Sequence, residues 1–556
     1  MIDVTLAASR PLGTAHILVG EGVSEATLRE QLVVLTGEAA TLRSQNGRWC
    51  FLGALRLLVR VVGNLEVVLP PGFPELEREV EIVCATGFVY ASPKFRVGAS
   101  RDISRAAAAV LNVGSAMDES RPWTSINAQG WVARVSSGLQ PLPAAVNQPN
   151  PMAALLAASL GVAEVFKRVI GIPSERAPLF GQVEFSLFEQ STEFSDHGPA
   201  LPEHLQLPSA LLVGAGAIGN AIAWLLSQLP LHGHLHVIDN QAYGDENLGT
   251  CMLLEREGWI GADKAERIAR WLSSHASLNV TWERALIRDA LANAQVRAMA
   301  PTLVIAGLDN VPARHDVQLA WPELLFDGGI SEVGAAVTQY RLAAPDRACL
   351  RCAFELPGVD HLQWQQAHTG LAPDVLNDPE LLLSEAHVHA AAPEKQAWLR
   401  KQLQAGKNIC SVISEAALSA LGVDAQAGFR PSVPFVATVA SAMVVAEMVK
   451  ALQFDGIEFA QTFTIGNVFL GPQSALQLNR LARPYCVCTA RQCLAQHAGG
   501  PAGHRWLPAG DAVPAVQHAS RRRPRPGSWM SSIGSPLPIA GRRGRSCSTR
   551  PTPPGC

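Results

Sequence analysis

The residues Gly214-Ala-Gly216-Ala-Ile-Gly219 stand between an aliphatic run, Ala210-Leu-Leu-Val213, and an apolar stretch from Asn220 to Leu229. Strand, glycine turn and helix in that order separate a phosphate-binding GxGxxG from a chance match. Glycines permit a tight turn and close backbone approach, and the helix start offers bare N–H groups to an anion. Asp239 ends the next strand-like run, 20 residues after Gly219, where a carboxylate can accept ribose hydroxyls. Alone, this motif fits NAD or FAD as well as ATP. Three later features favour ATP. Glu246-Asn247-Leu248-Gly249 follows Asp239 closely, and Ile260-Gly-Ala-Asp-Lys264 places a lysine in the first turn of a helix. Asp309-Asn310 then ends the strand-like run Thr302-Leu-Val-Ile-Ala-Gly-Leu. A lysine for phosphates and an aspartate for Mg²⁺ give the charge neutralisation that nucleotidyl transfer needs and hydride transfer does not.

The thiols form a second set. Cys349-Leu-Arg-Cys352 and Cys486-Val-Cys488 are two close pairs, the donor set of a structural, tetrahedral Zn²⁺ site. Because the second pair is CxC, Cys493 is an alternative fourth ligand; free or redox thiols are the plainer reading. Cys410, in Lys407-Asn-Ile-Cys410-Ser-Val-Ile, is expected near the start of a short helix with Lys407 beside it. Both features favour the thiolate and a nucleophilic role, with a small buried residue as the alternative. Cys50, Cys84 and Cys251 read as core. His387 and His389 lack an evident carboxylate partner and read as exposed or capping residues.

An internal repeat sets the elements that must position these groups. Pro151–Lys167 aligns with Pro434–Lys450 without a gap, with seven of 17 residues identical. Both segments are apolar nearly all round, as expected of helices buried against a sheet. Each precedes a strand-like run, Gln182-Val-Glu-Phe-Ser and Thr462-Phe-Thr-Ile. The chain therefore reads as two copies of one α/β unit, each with a largely parallel sheet. Residues 1–200 form the first, and 207–353 with 434–494 the second. Residues 354–433 interrupt the second copy with a helical insert. The first copy keeps the rhythm (His16-Ile-Leu-Val-Gly, a helix from Ser24, Asn64-Leu-Glu-Val-Val-Leu, Ala109-Val-Leu-Asn-Val) but lacks the glycine fingerprint. Ser115 and Ala116 stand where the second copy has Leu308 and Asp309, so the first half reads as a pseudo-domain that keeps the fold and has lost the site.

Composition bounds the rest. Of 556 residues, 48% are hydrophobic and 17% charged, which suits a globular chain of several domains. No stretch approaches ~18 uninterrupted apolar residues, so no membrane span is expected. The start of the chain lacks a signal-peptide pattern, and eleven sparse cysteines do not make a disulfide scaffold. A cytoplasmic protein is the expectation. The net charge of −3 hides a tail of +8 with nine Arg and ten Pro, so the other 495 residues carry −11. That tail, Gln496–Cys556 within the segment 495–556, reads as a disordered extension, and nucleic acid is not an expected partner.

The ordered run GAGAIG, VIDN, ENLG, IGADKA, AGLDN, FDGGI and CLRC resembles the ThiF/MoeB and ubiquitin-activating enzyme superfamily, continuously over 207–353 and again over 434–490. The degenerate first copy is similar to the inactive adenylation domain of the two-domain type. The resemblance implies two Rossmann-like ThiF-type adenylation domains. It implies that Gly214, Gly216 and Gly219 bind ATP, Asp239 its ribose, Asn247 and Lys264 its phosphates, and Asp309 Mg²⁺. It implies a zinc site at the two cysteine pairs, and in Cys410 the cysteine that takes a ubiquitin-like protein as a thioester. Partners would be a ubiquitin-like protein ending in Gly and a conjugating-enzyme-like protein. The pathway resembled is bacterial ubiquitin-like conjugation, several forms of which serve antiviral defence. With two copies fused, either a monomeric pseudo-dimer or a homodimer is expected. The family pattern is broken at Gln241, where an Asp is usual, and at Gly249-Thr250-Cys251, which lacks the usual Arg; Arg101 and Arg105 are candidate replacements. Two other classes fit parts of the sequence: a sulfur-carrier adenylyltransferase without a thioester step, and a nucleotide-binding scaffold with weak turnover.

Overall fold

The structure is a computed structural model that describes residues 4–491, apart from 20–22, 100–102, 332, 345–346, 355–358, 379–380, 410, 414–415, 417–432, 455, 458, 484–485 and 490. Cys410, Arg101, Cys493 and the tail thus lie outside the described residues. Two sheets carry the architecture. The first contains β1 Leu32–Gly37, β2 Asn64–Leu69, β3 Lys94–Val97, β4 Ala109–Val113, β5 Trp123–Gln129, β6 Val132–Ser136 and β7 Gln182–Ser186. The second contains β8 Leu205–Val213, β9 Leu231–Ile238, β10 Leu278–Glu283, β11 Leu303–Gly307, β12 Leu324–Ile330, β13 Ala335–Arg341, β14 Thr462–Ile465 and β15 Ala475–Leu478. Their orders are β3-β2-β1-β4-β5-β6-β7 and β10-β9-β8-β11-β12-β13-β14-β15, so the same pattern occurs twice. In each, five parallel strands come first and antiparallel strands complete the sheet. This is the doubled Rossmann-like α/β fold.

Seven helices matter for the site. They are α1 Val4–Val19, α2 Gln45–Val61, α3 Pro151–Ile170, α4 Ala217–Gln228, α5 Lys264–His275, α6 Val311–Val317 and α7 Pro434–Gln453. The repeat helices α3 and α7 are buried along nearly their whole length and meet across the centre of the molecule. Ser159 Oγ lies 2.7 Å from Thr438 Oγ1, and the Phe166 and Phe435 rings are 5.7 Å apart. The Glu and Lys shared by the repeat are buried ion pairs, Glu164 with Lys167 and Glu447 with Lys450. Lys450 donates on to the carbonyls of Leu187 and Phe188, tying the second half to the first. α7 is long and apolar enough to cross a membrane, but 89% of its most apolar window is buried inside the protein.

One element differs from expectation. His16-Ile-Leu-Val is part of α1, not a strand, and His16 Nε2 bonds Val23 O at 2.8 Å. The first strand is instead Leu32–Gly37, buried between β2 and β4. A short apolar run has no period of its own, and neighbours decide its state. Within the insert, helices Val359–Thr369, Pro373–Leu376, Glu385–Ala390 and Pro393–Gln404 enclose a small core of Leu371, Leu376, Leu383, Val388, Leu399 and Ile409. His387 completes the cap of its helix, and His389 Nδ1 bonds Glu385 O at 2.9 Å, so both have local structural roles.

Candidate nucleotide crevice and cysteine cluster

The glycine turn lies at the carboxyl end of β8, where the strand order reverses and α/β sheets bind ligands. Gly214 adopts φ +90, and a Cβ there would come within 2.6 Å of Gly307 O; one at Gly219 would reach 2.0 Å from Gly214 O. Only glycine lets turn, helix and β11 come so close. A Cβ at Gly216 would meet nothing, which leaves the start of α4 open for a ligand. Asn220, fully buried one turn into α4, braces the motif: its Nδ2 donates to Ala215 O (3.2 Å) and Tyr243 Oη (2.7 Å).

Asp239 follows β9 beside this turn. Its Oδ2 accepts from Ala215 N at 2.7 Å and its Oδ1 from Gln241 N at 2.8 Å. Burial raises its pKa, against the lowering pull of Lys264 and the two amides. Lys264 opens α5, is 6% exposed, and donates from Nζ to Gln241 Oε1 at 2.8 Å. Asn247 sits in the single-turn helix Asp245–Gly249, where its Oδ1 accepts from Gly244 N at 2.9 Å. Asp309 is exposed after β11, held by Asn310 Nδ2 (3.0 Å), while Asn310 caps α6. The fold therefore gathers Gly214, Gly216, Gly219, Asp239, Lys264, Asn247 and Asp309 around one crevice.

Sequence reasoning missed Arg10. α1 comes from the first half and lies on the helix Asp245–Gly249 so closely that a Cβ on Gly249 would reach 2.2 Å from Ala7 O. Arg10, one turn on, lies within electrostatic reach of Glu246, Cys251 and Asp309. Arg105 is exposed beside Asp118 in the first half. Arg10 thus reaches the crevice from the first half and Arg105 does not, while Arg101 lies outside the described residues. No motif marks it, because its partners are more than 200 residues away.

The matching crevice of the first half is filled. Glu38 follows β1, and its Oε1 accepts from the amides of Ser115 (2.8 Å) and Ala116 (2.5 Å) and from Asn112 Nδ2 (3.2 Å). A carboxylate of the chain itself thus lies across the strand ends and takes the N–H groups of the residues that stand where the second half has Leu308 and Asp309.

At the other end of the second sheet the four predicted cysteines converge. All four sulfurs lie within 4.8 Å of one another, with Cys349–Cys352 at 3.9 Å and both Cys349–Cys486 and Cys352–Cys488 at 3.8 Å. Disulfides would need about 2 Å. A tetrahedron of thiolates about 2.3 Å from Zn²⁺ has edges of about 3.8 Å, which these three sulfur–sulfur distances match. Arg483 N donates to Cys352 Sγ at 3.4 Å. The hydrogen bond to Cys488, and then burial, raise the Cys349 thiol far above its ordinary value. A cation would reverse that. Cys50, Cys84 and Cys251 are buried, as expected.

A crevice at the switch point of a doubled α/β fold defines the class. The ThiF family model matches residues 188–488, more than half of the chain, which therefore belongs to the ThiF family. The model of the BilD N-terminal domain matches residues 15–182. Protein y4jF of Sinorhizobium fredii, itself uncharacterised, is 25% identical over 434 residues, 77% of this chain and 76% of its own. BilD of Collimonas sp., a bacterial E1-like protein, is 26% identical over 283 residues, 49% of this chain and 58% of its own. MccB of E. coli, solved with MccA-N7isoAsn, gives a TM-score of 0.32 at 16% identity, covering 50% of this chain and 66% of that one.

Proposed function

We propose that this protein is an ATP-dependent activating enzyme for a ubiquitin-like protein, with residues 1–200 as an inactive adenylation domain. One observation carries the reading: glycine turn, Asp239, Lys264, Asp309 and Arg10 converge on a single crevice, while Glu38 fills its counterpart. ThiF membership and the match to a domain of BilD, an E1-like protein, support it.

Asp239 accepts the ribose hydroxyls, and the amides at the start of α4 face the phosphates. Lys264, Asn247 and Arg10 offset the charge that builds as pyrophosphate departs. An exposed carboxylate at a strand end suits a hard cation, and Mg²⁺ held by Asp309 would neutralise and orient the phosphates. The carboxylate of the partner's C-terminal glycine attacks the α-phosphorus. The bond to the β-phosphate oxygen breaks, pyrophosphate leaves, and an acyl-adenylate remains. The Cys410 thiolate then attacks the acyl carbon, AMP departs, and the thioester passes to a conjugating-enzyme-like protein. Zn²⁺ at Cys349, Cys352, Cys486 and Cys488 would staple the end of the sheet and take no part in the chemistry.

The thioester step is the part to test. Wild type with ATP and its ubiquitin-like partner is expected to give a thiol-sensitive adduct on a non-reducing gel. Cys410→Ala is expected to give none while still forming acyl-adenylate. An adduct that survives in Cys410→Ala moves the role to another cysteine. Adenylate without any adduct in wild type identifies a sulfur-carrier adenylyltransferase instead.

A further inference from the structure

The segment Asn247–Leu254 forms one wall of the crevice, and an arginine from the first half organises it. Arg60 extends from the last turn of α2 and is 1% exposed. Its Nη1 donates to Leu248 O at 2.7 Å, and its Nη2 to Met252 O at 2.9 Å and Leu254 O at 2.8 Å. All three partners are main-chain carbonyls of the same segment, and the charge has no exposure to water. Burial pushes the Arg60 pKa down to about 9, so the guanidinium stays charged at neutral pH.

The same segment has a second anchor in its own half. Leu253 N donates to Asn220 Oδ1 at 3.1 Å, so the amide of residue 253 is held by the helix behind the glycine turn. The carbonyls on either side of it, 252 and 254, are held by Arg60. Leu248 O, one residue after Asn247, is the third point. The wall is thus pinned between the helix of the nucleotide motif and a helix of the half whose own crevice is filled. Two further contacts run the same way: Arg256 N donates to Thr86 O at 3.0 Å, and the Arg256 guanidinium lies 4.6 Å above the Phe88 ring.

We infer that Arg60 is a positioning residue for ATP binding, through which the inactive half sets the placement of Asn247 and the phosphate wall of the active half. The inference rests on the crevice reading above and adds to it a task for the first half. The planar fork of arginine spans carbonyls that a single ammonium cannot span together. Its loss leaves three buried carbonyls without a donor, and the segment must shift or hydrate to satisfy them. At metal sites, groups that orient the ligands from behind change affinity by about 10- to 100-fold when removed, and a loss of that order is expected here.

The test compares Arg60→Met and Arg60→Lys with Val67→Ala, a cavity variant in the buried β2 of the same half. Mg·ATP binding is measured by calorimetry and thermal stability in parallel. Arg60→Met is expected to weaken ATP binding about tenfold or more, and Arg60→Lys to recover part of the loss. Val67→Ala is expected to lower Tm without changing ATP affinity. If Arg60→Met does not fold, Arg60→Lys against Val67→Ala carries the same comparison. Wild-type affinity in the Arg60 variants, or an equal loss in Val67→Ala, would overturn the positioning role alone. A wild type that binds no ATP overturns the crevice reading and this inference with it.

Discussion

Gln241 stands where the family resembled usually has an aspartate, and here it is paired with Lys264. Its amide oxygen accepts from Lys264 at 2.8 Å without cancelling the lysine's charge, so more positive potential remains for phosphates. Asp239, Lys264 and Asp309 were legible in the sequence because each sits at a fixed offset from a strand or helix boundary. Arg10, Arg60 and Asn220 were not, because their partners are distant in sequence and arginines in apolar helices are ordinarily solvated. The cysteines were legible through spacing alone, and the structure brings Cys488 together with the other three, while Cys493 lies outside the described residues. Metal analysis of purified protein is expected to give about one zinc per chain. Cys349→Ser is expected to lose the zinc and to melt at lower temperature. A stable, metal-free wild type would assign these thiols another role.

At the scale of elements, β12 and α6 together hold Asp309 in place. Arg314 of α6 donates from Nε to Asp327 Oδ2 of β12 at 2.8 Å and from Nη2 to Leu308 O at 2.5 Å. Asp327 is 1% exposed, and burial pushes its carboxyl up to about 6 despite Arg314. The folded protein therefore holds this proton more tightly than the unfolded chain. That contribution to stability is fully present below the unfolded value of 3.8 and is lost as pH rises through about 6. Asp327→Asn removes the titration. The stability of wild type relative to that variant, from urea denaturation, is expected to fall by up to about 3 kcal/mol between about pH 4 and 6 and to be flat above. A difference independent of pH would place the carboxyl at its ordinary value. The paired repeat helices were readable because identical residues recur at a constant offset. The strand assigned to His16–Gly20 was not, since an apolar run that short carries no period to tell helix from strand.

The whole molecule joins two similar halves that differ at the one place where chemistry is proposed. In the second, the turn at Gly214–Gly219 leaves the start of α4 open; in the first, Glu38 reaches from the end of β1 to the amides of Ser115 and Ala116 after β4. The first half nonetheless reaches across with α1 and Arg60, so the proposed site belongs to both. Sequence patterning exposed the doubling and the lost fingerprint, but not this exchange, which leaves no periodic trace. The central claim is one adenylating crevice per chain, with Asp309 at its mouth. ATP–pyrophosphate exchange tests it most directly, run with and without small β-grasp proteins that end in glycine. Wild type is expected to exchange pyrophosphate only when its protein partner is present, and Asp309→Ala to lose exchange while keeping the wild-type Tm. Undiminished exchange by Asp309→Ala, or none by wild type with any such protein, would contradict the account.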